Sequence, residues 1–278
     1  MGVRHTVNDI IFELKGVDFS YPGRYQALSG IDITIERGQR AAVIGANGSG
    51  KSTLLHLLGG LIFPDKGFIK AFGVELSEKS LADEKFNHDF RSNVGLVFQN
   101  PDVQLFCPTV KEEIMFGPLN FGFDRTAITP AFNSIIDLFD IGQLVDRMPH
   151  RLSIGEKRKV AMASVLISLP DVLLLDEPTA GLDPKTSRDL IDLLNKYHAD
   201  GKTIVTATHD MHIVEEIADI VYVFGCDKKI IRSGSPAEIL ADVKFLQDNN
   251  LIHIHSHAHD GKIHLHPHQH LRHDHFHA

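Results

Sequence analysis

One stretch limits the folds open to this chain more than any other. It reads Gly45-Ala46-Asn47-Gly48-Ser49-Gly50-Lys51-Ser52-Thr53. A short apolar run, Ala41 to Ile44, precedes it, and an apolar segment, Ser52 to Leu58, follows and ends at Gly59-Gly60. The order is buried strand, glycine-rich loop, helix. Glycines let the loop curl so that its N–H groups converge on an anion, and the helix N-terminus adds a favourable dipole. The spacing matches G-x-x-x-x-G-K-[ST], which places a lysine against the β- and γ-phosphates of a nucleotide and a hydroxyl where Mg²⁺ can bind. A chance glycine-rich turn would not sit between a strand and a helix.

A second segment complements the first. Val172-Leu173-Leu174-Leu175 is an apolar run ending in Asp176-Glu177-Pro178. A strand of this kind buries its body and delivers two carboxylates at its C-terminal end, the edge where open α/β sheets bind ligands. Asp176 suits a Mg²⁺ contact, direct or through water. Glu177 suits a general base that polarises an attacking water. Alone, two acids often simply end a strand; with the phosphate loop upstream they define a nucleotide-hydrolysing site.

The remaining pattern is that of a layered α/β chain. Strands are expected at 10–14, 31–35, 68–72, 203–208 and 220–224, and helices near 185–198, 211–218 and from Ser235-Pro236. Residues 77–165 read as an inserted helical lobe interrupted by Pro101, Pro108, Pro118 and Pro130. Ser153-x-x-Glu156 is a capping box that opens a helix running to about Ser168. Two cysteines, Cys107 and Cys226, give no disulfide framework. A net charge of −8 argues against a nucleic-acid-binding body. No secretory leader or membrane-spanning apolar run is visible, so a membrane role would come through a partner.

Leu152-Ser153-Ile154-Gly155-Glu156, shortly before the acidic strand, resembles the L-S-G-G-Q signature of ABC ATPases. Read bare, it is an ordinary capped helix. Other elements that resemble the family's follow in its order: Tyr21 as the aromatic beside adenine, Gln99 as the residue near Mg²⁺ and water, Gly181-Leu182-Asp183-Pro184 as the loop linking two sites, and His209 as the γ-phosphate histidine. The resemblance covers about residues 10 to 235. It implies an α/β fold with a P-loop NTPase core, a mostly parallel sheet, an N-terminal antiparallel β subdomain and an inserted helical subdomain. It also implies ATP and Mg²⁺ as cofactors. Glu177, His209 and Gln99 would be catalytic, and Ser52, Gln99 and Asp176 would hold Mg²⁺. Ser153, Gly155 and Asp183 would meet nucleotide bound by a second ATPase subunit. Ile154 and Glu156 depart from the usual signature.

Gln99-Asn100-Pro101-Asp102-Val103-Gln104-Leu105-Phe106, with Thr109-Val110 and Phe116-Gly117-Pro118-Leu119-Asn120, resembles the ATPases of energy-coupling-factor importers, including the cobalt and nickel branch. The resemblance implies two ATPase subunits, identical or paralogous, docked at the cytoplasmic face of a membrane on a transmembrane scaffold that works with a substrate-capture protein. A vitamin importer of the same architecture is the alternative. A soluble ABC protein of translation or repair would carry two fused units or a long coiled-coil insertion, and neither is present.

The end of the chain breaks composition. Of 18 histidines, 11 follow Leu251. His253, His255, His257 and His259 alternate with small or apolar residues, as do His264, His266, His268 and His270. Asp260-Gly261 between the two runs is a favoured hairpin turn. That turn would set His257 opposite His264, His255 opposite His266 and His253 opposite His268, on one face suited to Ni²⁺, Co²⁺ or Zn²⁺. Pro267 weakens the second strand by removing a ladder donor. A solvated tail is the competing reading, and a metal store is the competing function. The expected layout is an ATP-binding domain over 10–235, a C-terminal helix over 236–250 and a His-rich tail over 251–278.

Overall fold

The computed structural model describes residues 10–23, 25–259 and 262–268, the last hairpin by its backbone. Two long strands open the described residues, β1 (Ile10–Ser20) and β2 (Gln26–Glu36). Both are longer than their apolar cores at 10–14 and 31–35, because bulges in their antiparallel pairing carry them past polar residues. With β4 (Lys66–Ala71) and β5 (Val74–Glu75) they form an antiparallel sheet ordered β2-β1-β4-β5. This is the expected N-terminal β subdomain.

Between its strands lie β3 (Arg40–Gly45) and α1 (Lys51–Leu58). β3 is fully apolar after Arg40 because it is buried on both faces in a second sheet. That sheet is ordered β10-β9-β3-β8-β7-β6. Its members are β6 (Val94–Val97), β7 (Val172–Asp176), β8 (Thr203–Thr208), β9 (Ile220–Phe224) and β10 (Ile230–Gly234), all parallel except β10. One apolar cluster joins α1 to both sheets through Leu54, Leu55, Phe12 and Ile33.

The helical segment differs in two respects from its sequence reading. After α2 (Glu78–Leu81) and α3 (Glu84–Asn93) the chain returns to the parallel sheet as β6, inside the span expected to be helical. No turn residue announces β6, since Val94 leaves the last turn of α3 directly. Phe90 of α3 packs in the cluster around α1. The lobe beyond β6 holds α4 (Val110–Asn120), α5 (Arg125–Leu138) and the start of α6 (Ile154–Leu166). Pro118 and Pro130 lie within α4 and α5 rather than ending them. α7 (Pro184–Ala199) and α8 (Met211–Ile217) complete the crossovers.

The C-terminal helix expected over 236–250 is two helices, α9 (Pro236–Ala241) and α10 (Val243–Asp248). Asp242 separates them with non-helical backbone (ψ 71°) and caps α10 through Phe245 N–H. Leu246, Leu251 and Ile252 pack with Met211 and Val223 in a further apolar cluster. The chain then pairs β11 (His253–His259) with β12 (Lys262–His268). The register sets His253 against His268, His255 against His266 and His257 against His264, with Pro267 opposite Ile254. Asp260, Gly261 and His270 lie outside the described residues.

Candidate nucleotide site

Parallel pairing delivers the functional segments to one edge. Ile44 of β3 pairs with Thr208 of β8, Asp176 of β7 with Ala207, Gly45 with Phe224 of β9, and Val97 of β6 with Leu175. The phosphate loop, Gln99, Glu177, His209 and the turn after β9 therefore all leave the sheet at the C-terminal ends of its parallel strands. A cleft of about 240 Å³ opens there, lined among others by Tyr21, Asn47, Lys51, Gln99, Asp176 and Glu177.

The loop geometry requires its glycines. Gly50 sits at φ +113°, and a Cβ there would meet the Ala27 carbonyl at 2.5 Å. At Gly45 a Cβ would meet Ser49 Oγ at 2.6 Å. Ser49 Oγ is buried without a hydrogen-bond partner. Lys51 is buried, and its Nζ donates to the carbonyls of Gly45 at 2.8 Å and Ala46 at 3.3 Å. Burial lowers its pKa, against the opposing carboxylates Glu177 and Asp176. Tyr21 is half-buried, its ring edge-on to Phe19 and its hydroxyl 3.4 Å from Thr53 Oγ1.

Asp176 ends β7 and is 5% exposed. Burial raises its pKa, and a hydrogen bond from Ser52 is the largest opposing influence. Its Oδ1 is buried and unpartnered. An orphaned carboxylate oxygen beside a serine hydroxyl, with Gln99 on the same cleft, is a donor set that fits a hard divalent cation such as Mg²⁺.

Glu177 follows with φ +50°, a left-handed backbone rare for a side-chain-bearing residue. The turn costs on the order of 1–3 kcal/mol and is held by its surroundings. Glu177 N–H donates to Ala207 O at 2.8 Å. Its carboxylate is met by His209 Nδ1 at 2.7 Å on Oε1, and by Thr208 Oγ1 at 3.2 Å and His209 N–H at 3.4 Å on Oε2. The His209 ring is half-exposed, while Glu177 is buried. The end of β8 thus positions the acid at the end of β7.

Ser153, Gly155 and Asp183 do not line this cleft. Ser153 caps α6 with the expected capping box: its Oγ accepts from Glu156 N–H at 3.3 Å, and Glu156 Oε2 accepts from Ser153 N–H at 2.7 Å and Ser153 Oγ at 2.8 Å. These hydrogen bonds hold the Glu156 carboxyl below its usual range. Ile154 is 55% exposed. Asp183 caps α7 through Thr186, which draws its pKa down to about 2. Gly155 faces the Gly181 carbonyl, so the α6 cap and the 181–184 loop are neighbours within one chain.

Three contributors carry no signal in sequence. Tyr25 and Lys228 line the cleft, and Thr208 donates to Glu177. Gln104 ties the segment after β6 to α6: its Oε1 accepts from Phe98 N–H, and its Nε2 donates to Ala161 O at 2.7 Å. Lys157 of α6 pairs with Asp102 at 2.6 Å. Beside them Glu113, 3% exposed, accepts from the N–H groups of Phe106 at 2.8 Å and Cys107 at 2.6 Å. The loop it holds exposes Val103 and Phe106, with Phe116 of α4 edge-on to Phe106. Among the described residues no helix is long and apolar enough to cross a membrane.

The family described as ABC transporter matches residues 28–180. The nickel import ATP-binding protein NikO of Rhodobacter capsulatus is 48% identical over 244 residues, covering 87% of this chain and 95% of the relative. The energy-coupling factor transporter ATP-binding protein EcfA of Methanocaldococcus jannaschii is 40% identical over 243 residues, covering 87% and 85%. The solved structure of cbiO1 from Clostridium perfringens, described as part of the ABC transporter complex cbiONQ, superposes with a TM-score of 0.70. It is 35% identical, with 87% of this chain and 95% of that one covered. Glycine loop, carboxylate-ended strand and capped α6 thus coincide with relatives matched along most of their length, and the chain belongs to the ABC transporter ATP-binding family, as an ATP-hydrolysing subunit coupled to transport and akin to the energy-coupling-factor type.

Proposed function

We propose that this chain powers a divalent-metal importer, hydrolysing ATP between two ATPase subunits docked at the cytoplasmic face of the membrane. The domain reading is 10–235 as the ATP-binding domain with its helical lobe, 236–250 as a packed C-terminal segment, and 251–278 as a His-rich appendage. The observation that carries the hydrolytic part is the grouping of Lys51, Asp176, Glu177 and His209 at one sheet edge.

In this reading the amides of residues 45–53 cradle the phosphates and Lys51 leaves its loop carbonyls for them. Tyr21 lies beside the base. Ser52, Asp176 and Gln99 would hold Mg²⁺, which supplies neutralisation of the phosphate charge. Glu177 accepts the proton of the attacking water. Its three donors fix the carboxylate, so little reorganisation accompanies the reaction. His209, whose Nδ1 is engaged by Glu177, has a half-exposed ring through which it meets the γ-phosphate. Ser153 and Gly155, exposed or half-exposed and away from the cleft of their own chain, meet the γ-phosphate held by a partner, with Asp183 linking the two sites.

The docking face is the apolar trio Val103, Phe106 and Phe116, which suits a short helix of a transmembrane scaffold. The scaffold works with a substrate-capture protein. Cobalt or nickel as cargo is supported by the His-rich hairpin, whose register opposes His253 to His268, His255 to His266 and His257 to His264, and by NikO among the relatives. Those six histidines would bind Ni²⁺ or Co²⁺. No nucleic acid takes part. The test is uptake of labelled Ni²⁺ and Co²⁺ by cells expressing the chain with its scaffold. ATP-dependent uptake of either metal supports the reading; vitamin uptake without metal uptake overturns it. Deleting residues 251–278 should spare basal ATPase activity and reduce bound metal in titration.

A further inference from the structure

The proposed chemistry leaves one cation of the cleft unused. Lys228, in the turn between β9 and β10, lines the same cleft as Lys51 and Asp176. Its Nζ donates to the carbonyl of Gly48, at the outer bend of the phosphate loop, at 2.5 Å. Its backbone is held from two sides: its carbonyl accepts from Ser29 N–H of β2 at 2.9 Å, and its N–H donates to Gly225 O at 3.2 Å. Lys228 adopts φ +66°, where glycine or asparagine would turn the chain with less strain. A lysine there is not what the turn requires.

Lys51 makes the matching contact, its ammonium on the carbonyls of Gly45 and Ala46. The two lysines therefore sit on carbonyls of one loop, from opposite sequence directions. Among the described residues lining the cleft they are its two lysine or arginine cations, in a lining that also holds Asp176 and Glu177. A triphosphate carries more negative charge than one divalent ion and one lysine cancel. A phosphate oxygen is a stronger acceptor than a peptide carbonyl, and a lysine stem is long and flexible enough to exchange one for the other.

We propose that Lys228 is a second phosphate-directed cation of this site, leaving the Gly48 carbonyl to bind the phosphate chain of ATP or ADP. This rests on the cleft being the nucleotide site. The experiment is equilibrium binding of ATP, ADP and adenosine to the full chain, with Lys228→Met, Lys228→Arg and Lys51→Ala compared to the wild type. Thermal unfolding without nucleotide checks that each variant folds, and Lys228→Gln replaces the methionine variant if that one does not. The expected result is ATP and ADP affinity reduced about 5- to 10-fold by Lys228→Met, of the order of one charge-assisted hydrogen bond. Adenosine affinity should be unchanged and Lys228→Arg should recover most of the loss. ATP affinity within about twofold of wild type overturns the proposal, as does an equal loss for adenosine, which would mark Lys228 as a support of the loop alone. Should Lys51→Ala bind ATP as wild type does, the cleft assignment itself fails, whereas loss with Lys51→Ala but none with Lys228→Met removes Lys228 only.

Discussion

The C-terminal end of β7 and the N-terminus of α6 solve the same problem, that of holding a charge-bearing group, in opposite ways. Glu177 is buried and its carboxylate receives donors from Thr208 and His209, which belong to the next strand. Ser153 is exposed, and its cap is satisfied by Glu156, one turn along its own helix. The first arrangement is built by tertiary packing and is complete within the chain. The second needs nothing from the rest of the fold, so its outward surface stays available to another molecule.

The largest test of this contrast is Glu177→Gln. Turnover should fall by at least about 10²–10⁴-fold while ATP binding persists and nucleotide-bound dimers accumulate, seen by light scattering after size exclusion. Turnover within tenfold of wild type would remove Glu177 as the base and with it the distinction between the two ends.

Glu113 sharpens the comparison, being the buried carboxylate of the helical lobe. Glu113→Ala strands the N–H groups of Phe106 and Cys107, and should cost about 2–4 kcal/mol in urea unfolding. A cost under about 0.5 kcal/mol would mean that water replaces the carboxylate and the loop is not held from within.

Ser153→Ala should lower stability by about 1 kcal/mol through loss of the cap. In the proposed dimer it should also reduce hydrolysis well beyond what that loss of folded protein explains, with ATP binding to a single chain retained. Hydrolysis at the wild-type rate would place the cap outside the chemistry.

The smallest effect concerns Asp183. Its folded pKa, about 2 against an ordinary 3.8, is depressed. Its contribution to stability is therefore full above about pH 4 and fades as pH falls toward 2. Asp183→Asn, which keeps an acceptor for Thr186, should flatten that part of the stability profile; an unchanged profile would assign the acid sensitivity to other carboxylates.

How much of this was legible in sequence depends on the range of the interactions. Local geometry reads well: the capping boxes at Ser153 and Ser235, the glycine loop and the strand carrying Asp176 stand where their residue types demand. The hairpin register is the one that a two-residue turn at 260–261 implies. β6 was hidden because a four-residue strand flush against a helix has no period of its own. The break at Asp242 was hidden because no glycine or proline lies between Pro236 and Leu251 to announce it. Lys228 was silent, since it acts on a residue far along the chain and no spacing records a contact made by folding. Nothing in sequence set Tyr25 on the cleft, and although Gln104 stands in the 99–106 segment, its bonds to α6 are likewise contacts that only folding makes.

Gln104 and the Asp102–Lys157 pair fasten the loop bearing Val103 and Phe106 to more than one turn of α6, the helix whose first turn carries Ser153. A hydrogen bond tolerates only a few tenths of an ångström of stretch before it weakens. Any larger displacement of that outer loop must therefore strain or break its contacts along α6, the helix that the serine cap opens.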